Sequence, residues 1–226
     1  FGLTVGFENV DYTRYSSYTE SDDYAYIYTL ENGYRLRGSG FNVKLGAIVR
    51  PFLYSPFRVG LALHTPTWYE FTEHRWAAIS AFDDCYYDTR DAALFNEELS
   101  VVYKARSPWR LVASAAYTFG TSVALNAEYE LADYSSVKYE TNYGAAKAQN
   151  YELDMNVQAQ HIFRIGAEAN IDGLALRAGY NYATSPFKKG AYKDMLNASV
   201  ADTNTEFLNI KDTQTATLGL GYKNKN

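Results

Sequence analysis

Seven side chains of the 226-residue chain could act on a ligand from a single surface: Arg58, His64, Arg110, Glu128, Arg164, Glu168 and Arg177. Each falls at the polar position of a stretch in which apolar and polar residues alternate, so β-strands would bring them all to one face. Lys44, Arg50 and Glu130 share that phase. A row of guanidiniums could guide the carboxylate of an amphiphile through charge-assisted hydrogen bonds. The interleaved carboxylates offer a second outcome, a network of ion pairs filling the space between strands, and the mixed signs favour it. His64, just before Thr65-Pro66, could touch a ligand, but a hydrogen-bonded structural role suits it better. Asp83, Asp84, Asp88 and Asp91 crowd one segment. Their oxygens could hold calcium, but the spacing is not that of an EF-hand loop, and a solvated acidic loop is expected. Ser114 and His161 belong to no nucleophile motif, so no enzymatic activity is expected, and no cofactor or metal is implied.

The elements that must position these residues are strands of period two. Phe41–Val49 and Phe57–His64 form a hairpin around a short turn near Pro51–Pro56, with Leu45 and Leu61 on one face and Lys44, Arg58 and His64 on the other. Phe1–Asp11 reads as a strand. Glu97–Phe119 reads as one strand bent at Ser107-Pro108, with odd positions apolar on both sides of the bend. Val123–Leu131, Phe163–Ile171, Leu174–Tyr182 and Ala216–Tyr222 complete eight strands. Their connections alternate in length. Long polar ones are expected near residues 15–34, 72–95, 135–156 and 184–211, and short turns near 51–56, 120–122 and 172–173. Short turns at one end and long loops at the other are the pattern of an outer-membrane barrel. The expected fold is therefore an all-β, antiparallel, up-and-down transmembrane β-barrel, with one domain over residues 1–226. The apolar faces would meet lipid and the mixed faces would line the lumen.

Composition agrees. The chain contains 22 Tyr, against 12 Phe and 3 Trp, and aromatic rings with a polar tip suit a membrane–water interface. No apolar run is long enough for a transmembrane helix, so a membrane would have to be crossed by a closed barrel. A net charge of −5 gives no footprint for nucleic acid. Cys85 is the only cysteine, which excludes an internal disulfide. Phe1 already reads as mid-strand and no signal peptide precedes it, so a processed or truncated chain is expected.

Four stretches, FNVKLGAIVRP…FRVGLALHTPTWYEF, SPWRLVASAAYTFG, VALNAEYELADYSS and FRIGAEANIDGLALRAGYNYATSPF, resemble the FadL/TodX-type outer-membrane transporters of long-chain fatty acids and other hydrophobic compounds. The resemblance implies a fourteen-stranded barrel with an N-terminal hatch, of which this chain would be an internal portion lacking the hatch and the closing strands. An eight-stranded closed barrel is the alternative. The resemblance also implies a monomer in the outer membrane of a Gram-negative bacterium. Its partners would be the lipid bilayer, lipopolysaccharide and a hydrophobic small molecule. A non-transporting scaffold or secretion-associated barrel of the same fold, or a haem or porphyrin receptor, are the competing functions.

The sharpest expectation comes from Asp172-Gly173, a two-residue turn in which both residues must tolerate positive φ. It makes Ile171 pair with Leu174, Ala169 with Leu176 and Glu168 with Arg177, with the ion pair on the face opposite the leucines.

Overall fold

In the computed structural model, the residues described are 1–21, 26–83, 88–141, 146–191 and 211–222. They form one antiparallel sheet built from β1 (Gly2–Ser21), β2 (Tyr26–Val49), β3 (Arg58–His64), β4 (Trp68–Asp83), β5 (Asp88–Arg106), β6 (Trp109–Phe119), β7 (Val123–Asp133), β8 (Lys138–Glu140), β9 (Ala159–Ile171), β10 (Leu174–Ala183) and β11 (Thr213–Tyr222). Three pairs are single strands with a break. β3 and β4 lie end to end along one edge of β2, β5 and β6 lie beside them, and β7 and β8 follow. The eight ribbons that result pair only with their neighbours in sequence, as the alternation predicts. Among the described residues the sheet is open: β1 is bonded only to β2 and β11 only to β10.

The short turns are where the sequence puts them, between β2 and β3, β6 and β7, and β9 and β10. Asp172 and Gly173 both have positive φ, 48° and 92°, and the register of β9 on β10 runs Ile171 to Leu174, Ala169 to Leu176 and Glu168 to Arg177. The long connections differ from expectation. The described residues of 15–34 and 72–95 are strand rather than loop: β1 and β2 pair from Gly2–Gly46 to Ser21–Ile27, and β4 and β5 continue to Asp83 and Asp88. Their period is hidden because tyrosines and charges occupy both faces. The described residues of 135–156 belong to an irregular connection, with a short 3-10 turn (Tyr134–Ser136), β8 and the three-turn helix α1 (Ala146–Asn156). Asn150 of α1 clasps Tyr139 of β8, accepting from its N–H at 2.8 Å and donating to its C=O at 2.9 Å. Most of the expected connection at 184–211 lies outside the described residues, as do Asp84 and Cys85.

The breaks change the phase of the pleat. On β2, Leu45 pairs with Leu63 and Phe41 with Trp68, so four residues of β2 face five of its neighbour. One extra residue exchanges the two faces of a strand. Odd positions of β3 therefore share the face of Leu45, while on β4 the even positions do. The same step recurs next door, where Leu63 pairs with Leu111 and Trp68 with Arg106. The single continuous face expected across Ser107-Pro108 is thus corrected. Trp109 and Leu111 share the Leu45 face, but Val101 and Tyr103 belong to the opposite face, which carries Glu128. The breaks replace lost ladder bonds with side chains. Pro66 has no N–H and is fully buried. Beside it, Thr65 donates its N–H to Val43 O (2.9 Å) and accepts from Val43 N–H on Oγ1 (3.0 Å). Thr67 and Ser107 bond each other across the two breaks, Ser107 N–H to Thr67 O at 3.0 Å and Thr67 N–H to Ser107 Oγ at 2.8 Å.

β2 carries glycines where aromatic rings from β4 cross it. A Cβ on Gly38 would lie 2.4 Å from Phe71 Cδ1 and 2.6 Å from the Glu70 carbonyl oxygen. Gly38→Val should therefore overpack this crossing and cost about 1–3 kcal/mol. The check is the thermal midpoint of the purified protein in detergent; a midpoint equal to wild type would show that Phe71 is not held against the strand.

Candidate functional site

The Leu45 face from the turns up to the breaks is apolar and open. It displays Leu3, Val5 and Phe7 of β1, Leu61 and Leu63 of β3, Ile165 of β9 and Leu218 of β11, with Phe7 at 85% and Leu218 at 90% exposure. Leu125 and Leu176 share it. Aromatic side chains gather at its upper edge. Phe41 and Trp68 lie 5.0 Å apart between ring centroids. Tyr129 is 5.1 Å from Phe163 and stacks on His161, whose Nδ1 is 2.7 Å from the Tyr129 hydroxyl. One ladder step above Phe7, Phe41 and Trp68 the same face carries Asn9, Ser39 and Glu70, and the next step Asp11, Arg37 and Thr72. The opposite face changes in the reverse sense, from Lys44 below the breaks and Asn42 and Glu8 at their level to Tyr12, Leu36, Phe71 and Tyr103 above it.

On the Glu128 face the structure brings together Arg110, Glu128 and Arg164, with Glu130 as the residue that joins them. Arg164 Nη1 lies 2.5 Å from Glu128 Oε1 and 2.8 Å from Glu130 Oε2, and Arg110 Nη1 lies 3.5 Å from Glu130 Oε1. Glu130 is buried. The register explains the assembly, since Ser114, Glu128 and Arg164 share one rung of the ladder and Val112, Glu130 and Ile162 the next. The charges therefore neutralise one another, as their mixed signs lead one to expect.

Glu168 and Arg177 form a separate pair nearer the turns, Arg177 Nε donating to Glu168 Oε2 at 2.7 Å, with Asn170 Nδ2 on Oε1 at 2.9 Å. His64 stands between Lys44 and Arg110 on the ladder, beside an open recess lined by Thr4, Gly60, Ser114 and Glu128. Its ring makes no hydrogen bond among the described residues, so the hydrogen-bonded structural role expected for it is not met. Arg58, opposite Ala116, is exposed and makes no ion pair among the described residues. Arg50 lies beyond the end of β2, in the turn, and so does not join this face.

Two groups escaped the sequence reading. Asn42, almost fully buried, donates from Nδ2 to Glu8 Oε1 (2.7 Å) and to Thr67 Oγ1 (3.0 Å), tying β1 and β2 to the break. Above the breaks, Tyr34, Phe71, Tyr103 and Tyr139 surround Glu73, a carboxylate only 8% exposed. Burial, then the neighbouring Glu73 and phenols, pushes the Tyr103 hydroxyl far above its usual range, and burial likewise raises Tyr34 and Tyr139. These phenols remain protonated donors. Tyr34, Glu73 and Tyr139 fall in stretches whose sequence predicts loops, and Tyr103 in a strand expected to keep one apolar face, so their shared face is not legible in the sequence. Of the acidic segment, Asp83 ends β4 and Asp88 and Asp91 lie in β5, while Asp84 lies outside the described residues. Among the described residues no group of His, Cys, Asp and Glu side chains is placed to hold a metal ion.

No family model matches the chain, and no curated protein or solved structure is significantly similar to it.

Glu130 serves two guanidiniums from a buried position, whereas Glu168 serves one from the surface. Glu130→Gln should destabilise by on the order of 1–3 kcal/mol, because it weakens both charge-assisted contacts at a desolvated site. Glu168→Gln should produce a smaller fall in thermal midpoint. Equal falls for the two variants would refute the central place given to Glu130.

Proposed function

We infer that the sheet is part of the wall of an outer-membrane β-barrel through which hydrophobic small molecules, long-chain fatty acids among them, are taken up. The observation that carries the membrane part is the exchange of apolar and polar faces at one level of the sheet. Below the breaks, bulky apolar groups stand exposed in a continuous field much larger than soluble proteins leave uncovered. That field ends at Phe7, Phe41, Trp68 and Trp109, the position of an interfacial aromatic belt. Above this level the apolar side chains turn to the opposite face, as strands projecting from lipid into water require. The span has a suitable length. β6 has eleven residues, and a rise of about 3.3 Å per residue with a tilt of about 45° gives a height of about 25 Å. In such a barrel the edges of β1 and β11 are paired by further strands, because lipid cannot solvate an open edge.

The uptake part rests on the resemblance of the hairpin sequences to the FadL/TodX type. A second reading, a scaffold barrel that transports nothing, is favoured by the Glu128–Arg164–Glu130–Arg110 network, which leaves these cations with no charge to offer a ligand.

Two measurements test these readings. Cysteines introduced at Leu125, Ile165 and Leu176 should resist a water-soluble maleimide in intact membranes, and cysteines at Glu128 and Arg177 should react; the reverse pattern would overturn the membrane reading. A strain lacking the gene should import labelled long-chain fatty acid several-fold more slowly than the complemented strain. Equal rates would overturn uptake and leave the scaffold.

A further inference from the structure

Above the breaks, the face that carries Glu128 lower down becomes aromatic around a single buried carboxylate. Leu36, Glu73 and Val101 share a rung, with Gly38, Phe71 and Tyr103 on the rung below and Tyr34 and Arg75 on the rung above. The Tyr34 hydroxyl lies 3.4 Å from Glu73 Oε2. The Phe71 and Tyr103 rings are 5.6 Å apart, and Tyr103 meets Tyr139 edge-on at 5.7 Å. Gly38 leaves room for these rings, since a Cβ there would collide with Phe71.

A carboxylate walled by phenols attracts cations twice over, through its charge and through the ring faces. Arg75 already fills that role from within the chain. Its Nε bonds Glu73 Oε1, and its guanidinium lies 5.5 Å from the centre of the Tyr34 ring. The two partners sit in different surroundings: the Glu73 side chain is 10% exposed and that of Arg75 is 62% exposed. The buried charge is thus compensated by a long, hydrated side chain held at its rim. The guanidinium can be hydrated when it leaves, whereas the carboxylate stays buried and calls for another cation in its place.

We propose that Glu73, with Tyr34, Phe71, Tyr103 and Tyr139, forms a binding site for an organic ammonium ion, and that Arg75 occupies this site when no ligand is bound. Entry of the ligand displaces the guanidinium into solvent and places the ammonium group against the carboxylate and the Tyr34 ring. Burial suppresses ionisation of the phenols and keeps them neutral, so they add ring faces and hydroxyl donors without further charge. A free carboxylate ligand is excluded from this site by the charge of Glu73. The site stands on this cluster alone and does not depend on transport.

The test is calorimetric titration of the full chain, purified in an uncharged maltoside detergent, with choline and with its neutral isostere 3,3-dimethylbutan-1-ol. Choline should bind saturably and at least about ten-fold more tightly than the isostere, which lacks the charge. Arg75→Ala should tighten choline several-fold by removing the internal competitor, and Glu73→Gln in that background should abolish binding. A merely structural ion pair predicts the contrary, with Arg75→Ala lowering the thermal midpoint and creating no affinity. Equal binding of choline and the isostere by the unaltered chain, or no binding of either, overturns the proposal even if both variants fail to fold.

Discussion

The pleat allows each strand residue only one of two directions, and everything in this sheet follows from where that parity is kept and where it is broken. β2 keeps it without interruption for 24 residues, so its odd positions run from Val49 and Leu45 through Phe41 to Arg37 and Arg35 on one face. Its neighbours insert one residue and thereby change which of their side chains share that face. The polarity exchange on β2 is written into residue type alone. On β3/β4 and β5/β6 it is produced jointly by residue type and by the extra residue. Without the insertion, Phe71 and Tyr103 would stand on the face of Arg37 and Lys104, and the aromatic cluster could not form.

The lower and upper halves are held together by different means. Below the breaks the polar face is knit by charge: Glu130 bridges Arg110 and Arg164 while Glu128 takes the remaining share of Arg164. Ion pairs of this kind contribute little where water reaches them and more where a partner is buried, as Glu130 is. Above the breaks the corresponding face is held by rings laid across glycines of β2, with Tyr69 over Gly40 and Phe71 over Gly38. The junction carries Asn42, whose amide reaches β1 through Glu8 and the break through Thr67.

The hairpins could be read from sequence because each combines a short turn with some ten residues of strict alternation. Asp172-Gly173 determined the entire β9–β10 register, and Ala169–Leu176 and Glu168–Arg177 followed by counting. The upper strands could not be read, because Tyr12, Tyr15, Tyr28 and Tyr34 populate both parities and a tyrosine satisfies either an aqueous or an apolar face. The site suffered accordingly. Arg164 and Glu128 were found from their polar parity, and Glu130 was recognised on the same face although its bridging role was not. Glu73, Tyr34 and Tyr139 fall in stretches that read as loops, and Tyr103 in a strand whose facing the break reverses. The residue step at Ser107-Pro108 was hidden for another reason: odd positions are apolar on both sides of it, and only the partner strand shows that the two halves face opposite ways.

The hydrogen bonds between Thr67 and Ser107 join two breaks that each carry the same one-residue surplus over β2. The surplus in β3/β4 is matched in β5/β6, so the ladder between those two ribbons stays in step across the irregularity. A deletion in either ribbon alone would put its upper strand on the wrong face along every rung above. A deletion in both would restore their mutual register while severing them from β2. A change of length at this place is therefore tolerated only if both ribbons and β2 change together, and the two Pro-containing segments Thr65–Thr67 and Arg106–Pro108 act as one structural unit although some forty residues of chain separate them.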